Sequence, residues 1–179
     1  MNLNLHINKW ADCEKCTIGR CAKVLYRGSK NPRYLFIGSA PGISEDVIGK
    51  PFTGLAGKEL EKLFDVTGCK SYGITNIIAC YPAANNYKSK ARNPTKEEIE
   101  NCKERLDQLI ETVTPNFYIA LGKIAKQNPP SGIKYHLELD HPSSIVNQSP
   151  HKRKVAFNRN KNKLKSFLRE TNGQTQKIN

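Results

Sequence analysis

Tyr34-Leu35-Phe36-Ile37-Gly38-Ser39-Ala40-Pro41-Gly42 is the stretch from which the fold class follows. Four apolar residues in a row, closed by Gly38, Pro41 and Gly42, are the pattern of a buried strand that opens into a tight loop. In a parallel sheet covered by helices such strands carry function at their carboxyl ends. The rest of the chain alternates accordingly. Leu55, Leu60, Leu63 and Phe64 recur at helical spacing before Gly68, which predicts a helix over 55–66 with a glycine stop. Residues 72–79 read as a second strand running into Cys80, and residues 82–94, rich in Asn, Lys and Ala, as a long exposed loop. Thr95 and Glu98 stand at capping-box spacing and open a helix to about Val113, with Ile99, Cys102, Leu106, Leu109 and Ile110 along one face. Past Pro115, Phe117–Leu121 is a third strand, Gly122–Gln127 a helical turn, 135–139 a fourth strand ending at His141-Pro142, and 155–168 a basic amphipathic helix. The expected fold is one α/β domain over residues 1–171, a three-layer α/β/α arrangement around a central four-stranded, mainly parallel sheet. Residues 171–179 are expected to fray, leaving 172–179 as a flexible tail. The carboxyl edge of the sheet brings together residues 38–52, Asn76 and His141.

Composition narrows the function classes. The 179 residues are 37% hydrophobic and 25% charged, with mean hydropathy −0.61. No apolar stretch approaches the ~20 residues that span a bilayer, and the start of the chain lacks a signal-peptide pattern, so a cytoplasmic protein with no membrane partner is expected. Lys and Arg number 29 against 16 acids, a net charge of +13, which favours a polyanion such as nucleic acid. The excess is uneven: nine basic residues follow Pro150, opposed only by Glu170. A solvated helix face is the plain alternative to a phosphate contact.

Without a secretion signal, six cysteines point to metal binding or catalysis rather than a disulfide framework. The first thirty residues show little periodicity and carry Cys13, Cys16 and Cys21, as expected of an irregular segment held by something other than a core. Cys13-Glu14-Lys15-Cys16 is a C-x-x-C pair, and Cys80 and Cys102 flank the exposed loop. Four thiolates suit structural zinc or a [4Fe–4S] cluster, and a site closed by all four ties the N-terminal segment to the sheet. Cys21 and Cys69 read as small buried residues.

The run from Gly38 through Pro51-Phe52-Thr53-Gly54 to Lys58 resembles the first motif of the iron–sulfur (family four) uracil-DNA glycosylases. Thr75-Asn76-Ile77-Ile78-Ala79-Cys80 and His141-Pro142-Ser143 resemble two further motifs of that family, whose cluster cysteines match Cys13, Cys16, Cys80 and Cys102 in order. The resemblance extends from Cys13 to the final helix. It implies a [4Fe–4S] cluster and a pocket for an extruded uracil, with Phe52 stacking on the ring and Asn76 pairing with its O4 and N3–H. His141 would donate to O2 of the departing base, assisted by main-chain amides around Gly38, Ser39, Ala40 and Gly42. Glu45 would bound the pocket where a thymine methyl fits, or orient water, while Ser143 and Ser144 would meet phosphates beside the scissile nucleotide.

Three departures from the family pattern matter. Ser39 stands where the family carries Glu. Ala40 occupies the position of the water-activating Asp of other glycosylase families, although a small residue is usual in this one. The loop between Cys80 and Cys102 is longer than typical and holds Lys88, Lys90 and Arg92 but no His in 82–94, so covalent trapping of the sugar is not expected. The reading is a monomeric, monofunctional uracil-DNA glycosylase acting on single- or double-stranded DNA in base excision repair, with no lyase step. Two alternatives stay open: the same fold acting on another damaged or modified base, and a non-catalytic iron–sulfur DNA-binding protein.

Overall fold

Strand β2 (Tyr34–Gly38) is buried along its whole length and forms the middle of the sheet. The computed structural model describes residues 2–16, 18, 22–83 and 91–175, so Cys21, Lys88, Lys90 and residues 176–179 lie outside the described residues. On one side β2 pairs in parallel with β3 (Tyr72–Asn76), placing Gly38 opposite Asn76. On the other it pairs in parallel with β4 (Phe117–Leu121), which pairs in parallel with β5 (Leu137–Leu139).

Alternation along β2 divides the core between the two faces of the sheet. Tyr34 and Phe36 join a cluster with Leu60, Phe64 and Leu164, supplied by α3 (Leu55–Thr67) and α7 (Pro150–Thr175). Leu35 and Ile37 face the other way onto Leu106, Ile110 and Ala125 from α4 (Lys96–Val113) and α5 (Gly122–Gln127). This is the expected three-layer α/β/α class. The helix boundaries follow local chemistry. Thr95 and Glu98 form the reciprocal capping box at the start of α4, with 3.2 Å from the Glu98 amide to the Thr95 hydroxyl and 2.8 Å from the Thr95 amide to the Glu98 carboxylate. Gly68 ends α3 at φ +74°, where a side chain would be strained.

Several elements differ from expectation. The sheet has five strands rather than four: β1 (Arg27–Gly28) adds an antiparallel edge to β3, and two residues are too few to show a period. β3 ends at Asn76 rather than at 79, because the chain turns at the carboxyl edge, and β5 begins at Leu137 rather than at 135. The N-terminal segment is not irregular throughout, since α1 (Leu3–Ala11) is capped by the Asn2 side chain, 2.9 Å from the Leu5 amide. It buries only His6 and Trp10, one turn apart, so its apolar period is too thin to read. α7 begins five residues earlier than expected and runs to Thr175, so residues 171–175, expected to fray, are helical, and the Thr171 hydroxyl lies 2.8 Å from that of Tyr34. Two short helices, α2 (Ile43–Ile48) and α6 (Pro142–Val146), occupy stretches that read as loop. Among the described residues no helix is long and apolar enough to cross a membrane.

Candidate active site

The carboxyl ends of β2, β3, β4 and β5 frame a cavity of about 380 Å³. It lies where the strand order reverses across β2, the position at which open α/β sheets bind ligands. Ser39, Ala40, Gly42 and Glu45 line it from the β2 loop and α2. Phe52, Asn76, His141 and Ser143 complete the wall.

Gly38 lies beneath this wall, and its lack of a side chain decides the local packing. A Cβ there would stand 2.4 Å from Asn76 Oδ1 and 2.8 Å from Phe52 Cζ, so the Asn76 amide and the Phe52 ring both close over bare backbone. Asn76 is 1% exposed, and its Oδ1 has no hydrogen-bond partner. A buried amide oxygen left unpaired is a vacancy for a donor. Phe52 sits at φ +55°, a conformation that a bulky residue rarely adopts. Gly57 keeps it there, since a Cβ on Gly57 would come within 1.8 Å of the Phe52 carbonyl oxygen.

His141 stands between the end of β5 and α6, with its ring 5.6 Å from that of Phe52. Its Nδ1 accepts from the Ser143 amide at 3.1 Å and lies 2.7 Å from the Ser143 hydroxyl. With Nδ1 accepting, the proton of the neutral ring belongs on Nε2. Burial pushes the His141 pKa down to about 4, so the ring is neutral at physiological pH. The Ser144 hydroxyl donates to the His141 carbonyl at 2.8 Å, turned toward its own helix. Glu45 is buried, and its Oε1 accepts from the Gly54 amide at 3.3 Å, tying α2 to the start of α3.

Two cations with no site role expected from the sequence also line the cavity, Arg92 from the basic loop and Lys123. Lys123 follows β4 directly, so the rule that function gathers at strand ends could have found it. Arg92 is placed by a partner six residues on, because its guanidinium pairs with Glu98 at 2.8 Å. Its amide also donates to the Pro82 carbonyl at 2.9 Å, closing the base of the loop.

Of the matched cysteines, Cys13 follows α1, Cys80 follows β3, and Cys102 rides on α4. Cys13 and Cys102 pack with Trp10, Leu25 and Ala79 in a small third cluster. Burial pushes the Cys80 thiol up to about 12, and Cys102, Cys16 and Cys13 are near enough to add to the shift. The Ala79 amide lies 3.4 Å from Cys102 Sγ. The four thiols therefore share one neighbourhood, although among the described residues no three His, Cys, Asp or Glu side chains form a finished metal site. Cys69 stands apart in the main core, where burial raises its thiol to about 12.

The family model of the uracil DNA glycosylase superfamily matches residues 25–169. The chain belongs to that superfamily. It is 36% identical over 127 residues to the type-4 uracil-DNA glycosylase of Saccharolobus solfataricus, covering 68% of this chain and 56% of the relative. To the type-4 uracil-DNA glycosylase of Archaeoglobus fulgidus it is 36% identical over 120 residues, covering 64% and 57%. The corresponding protein of Thermotoga maritima is 34% identical over 119 residues, covering 63% and 59%. The chain thus spans a little over half the length of the curated relatives it matches.

Two histidines, His6 fully buried and His141 half-buried in the cavity wall, make the stability of this superfamily member pH-dependent. His141 and His6 both have pKa values pushed down to about 4, His141 by burial and His6 by burial first and then by the Arg105 and Lys9 charges. In the unfolded chain each titrates near ~6.5, so as pH falls the unfolded state takes up the proton first. The stability held by the neutral rings is complete above about pH 6.5 and is lost on going down to about pH 4. His141 alone accounts for about 3 kcal/mol across that window. Urea unfolding at a series of pH values checks this: the fall toward acid is expected to be shallower in His141→Asn.

Proposed function

We propose that the chain is a monofunctional uracil-DNA glycosylase that hydrolyses the N-glycosidic bond of deoxyuridine in DNA and leaves an abasic site. The observation that carries this reading is the convergence on one cavity of an unpaired Asn76 amide oxygen, the Phe52 ring and a neutral histidine. An extruded uracil stacks on Phe52, while Asn76 Oδ1 accepts from N3–H and its amino group donates to O4. Cytosine presents an amino group where O4 would be and is rejected. As the C1′–N1 bond breaks, its electron pair stays with the base, and Nε2–H of His141 donates to O2 of that anion. The main-chain amides near Ser39, Ala40 and Gly42 face the same base. Water then bonds to C1′ through its oxygen and its proton ends on the uracil anion, giving neutral uracil and the abasic hydroxyl, with Glu45 at the boundary to orient the water or to exclude the thymine methyl.

Cys13, Cys16, Cys80 and Cys102 would hold the [4Fe–4S] cluster. The shared neighbourhood and thiol chemistry of this donor set fit that group, and they suit structural zinc as well. The cluster supplies no step of hydrolysis when bound; the cysteines tie α1 and its following segment to α4 and the sheet. Iron with broad visible absorbance in the purified protein is expected, whereas colourless protein with stoichiometric zinc would establish the alternative.

DNA enters along a basic surface. On α7 the side chains of Lys152, Lys154, Lys161 and Lys165 are free for phosphates, whereas Arg153 is paired with Glu59 at 2.6 Å and Arg159 with Asp140. The basic helix is therefore less available to DNA than its composition suggests.

The test is an oligonucleotide with a single deoxyuridine, incubated with the protein and treated with alkali. Cleavage at that position, and none before alkali, is expected; an intact strand would overturn the reading. Ser39, a small hydroxyl where the family carries Glu, favours one second reading, excision of another modified base, and a panel of modified bases in the same assay decides between the two.

A further inference from the structure

Arg105 on α4 is the bulkiest of the fully buried side chains, at 1% exposure, and its hydrogen-bond partners are neutral oxygens. Its Nη1 donates to the Thr75 hydroxyl at 3.0 Å, and its Nη2 to the main-chain carbonyls of Asn76 at 2.7 Å and Ile77 at 2.6 Å. The Thr75 hydroxyl in turn donates to the Leu25 carbonyl at 2.7 Å. A guanidinium taken out of water needs acceptors in fixed geometry, and Arg105 meets them through Nη1 and Nη2 while its buried Nε has no partner. Here those acceptors are three consecutive residues at the carboxyl end of β3, and the middle one is Asn76.

The geometry points to Arg105 as a positioning residue that fixes Asn76 for base recognition, an inference that rests on the role proposed for Asn76. The β2–β3 ladder holds Asn76 from one side, opposite Gly38. Past Asn76 the amides of Ile77 and Ile78 still donate to the Gly38 and Ser39 carbonyls, at 2.9 and 3.2 Å, while the outward carbonyls of Asn76 and Ile77 are taken by Arg105. Together with the Ile77 amide on the Gly38 carbonyl, the guanidinium fixes the Asn76 peptide from its far side, and with it the placement of the unpaired Oδ1 in the cavity. Arg105 lies behind the cavity wall, outside the residues that line it, and acts through Asn76. It stands one helical turn after Cys102, so the same helix carries a matched cysteine and the support of the base reader.

A double-mutant cycle between Arg105 and Asn76 tests this, because residues acting as a unit give non-additive effects. Arg105→Met is expected to lower kcat for uracil release by about 10²-fold per folded molecule, the size of a displacement of about 1 Å in a positioning group. The Kd for the same DNA carrying thymine in place of uracil should stay within about twofold, since the cavity wall and the basic surface are untouched. In an Asn76→Ala background the same substitution is expected to cost less than about threefold. Arg105→Lys keeps the charge but reaches fewer oxygens, so an intermediate kcat is expected, and it carries the cycle if Arg105→Met does not fold. Equal losses in both backgrounds, or full kcat in folded Arg105 variants, would overturn the assignment. If Asn76→Ala itself retains full kcat, the base-reading role of Asn76 falls first and that of Arg105 with it.

Discussion

His141→Ala is expected to lower kcat for uracil release by about 10³-fold while leaving the Kd for DNA within about twofold. The expectation follows from the state of the ring. Nδ1 is occupied as an acceptor by the Ser143 amide at 3.1 Å, and the half-buried ring is neutral because desolvation holds its pKa near 4. That leaves Nε2–H as a donor fixed before the base arrives, and a donor aimed at developing charge in a water-poor site contributes far more than one that must reorganise. The interaction strengthens only as the C1′–N1 bond breaks, so the loss falls on kcat rather than on binding. The same state predicts a pH profile. A ring that titrates near 4 stays neutral above about pH 5, so kcat is expected to be flat from there to about pH 8 on its account. A fall as pH rises through about 6.5 would show that the ring acts as the cation, and a fall as pH drops through about 6.5 that burial does not depress its pKa. Single-turnover release of uracil from a labelled duplex measures both quantities, and His141→Gln, which restores a donor at the wrong length, is expected to recover part of the rate.

How far the sequence foretells this site depends on whether the information is local. β4 and α5 are legible to the residue because Phe117–Leu121 is an uninterrupted apolar run that breaks at Gly122. The start of α4 is legible because a capping box is contained in four residues. Ser39, Phe52, Asn76 and His141 are legible because strand ends and motifs place them at one edge of the sheet. What escapes is set by long-range contacts. Arg92 lines the cavity because Glu98 draws it there, and α1 forms although only His6 and Trp10 face the body. Arg105 shows the limit most clearly. In a helical period it is a charged residue beside Leu106, and its burial depends on the Thr75 hydroxyl and the Asn76 and Ile77 carbonyls, about thirty residues earlier.

Gly38→Ala, a change of one methyl group, is expected to cost at least about 10²-fold in kcat/KM, since Phe52 and Asn76, the proposed base platform and base reader, must both move. The added Cβ would stand 2.4 Å from Asn76 Oδ1 and 2.8 Å from Phe52 Cζ, both under the 3.0 Å at which something has to shift. Neither neighbour has an easy retreat. The Phe52 backbone is already at φ +55° and is pinned from behind, where a Cβ on Gly57 would come within 1.8 Å of its carbonyl oxygen. Asn76 is held by the β2–β3 ladder and by Arg105 Nη2 at 2.7 Å. Because the conflict falls on the two groups proposed to contact the base, activity is expected to suffer more than stability, which overpacking of this kind lowers by about 1–3 kcal/mol. Gly173→Ala supplies the contrast: nothing lies within 4 Å of its added Cβ, so the same methyl in α7 is expected to leave kcat/KM unchanged. The comparison separates the close approach at Gly38 from any general effect of losing a glycine, because a folded Gly38→Ala with full kcat/KM would show that the cavity floor yields and that Asn76 and Phe52 do not need their present positions.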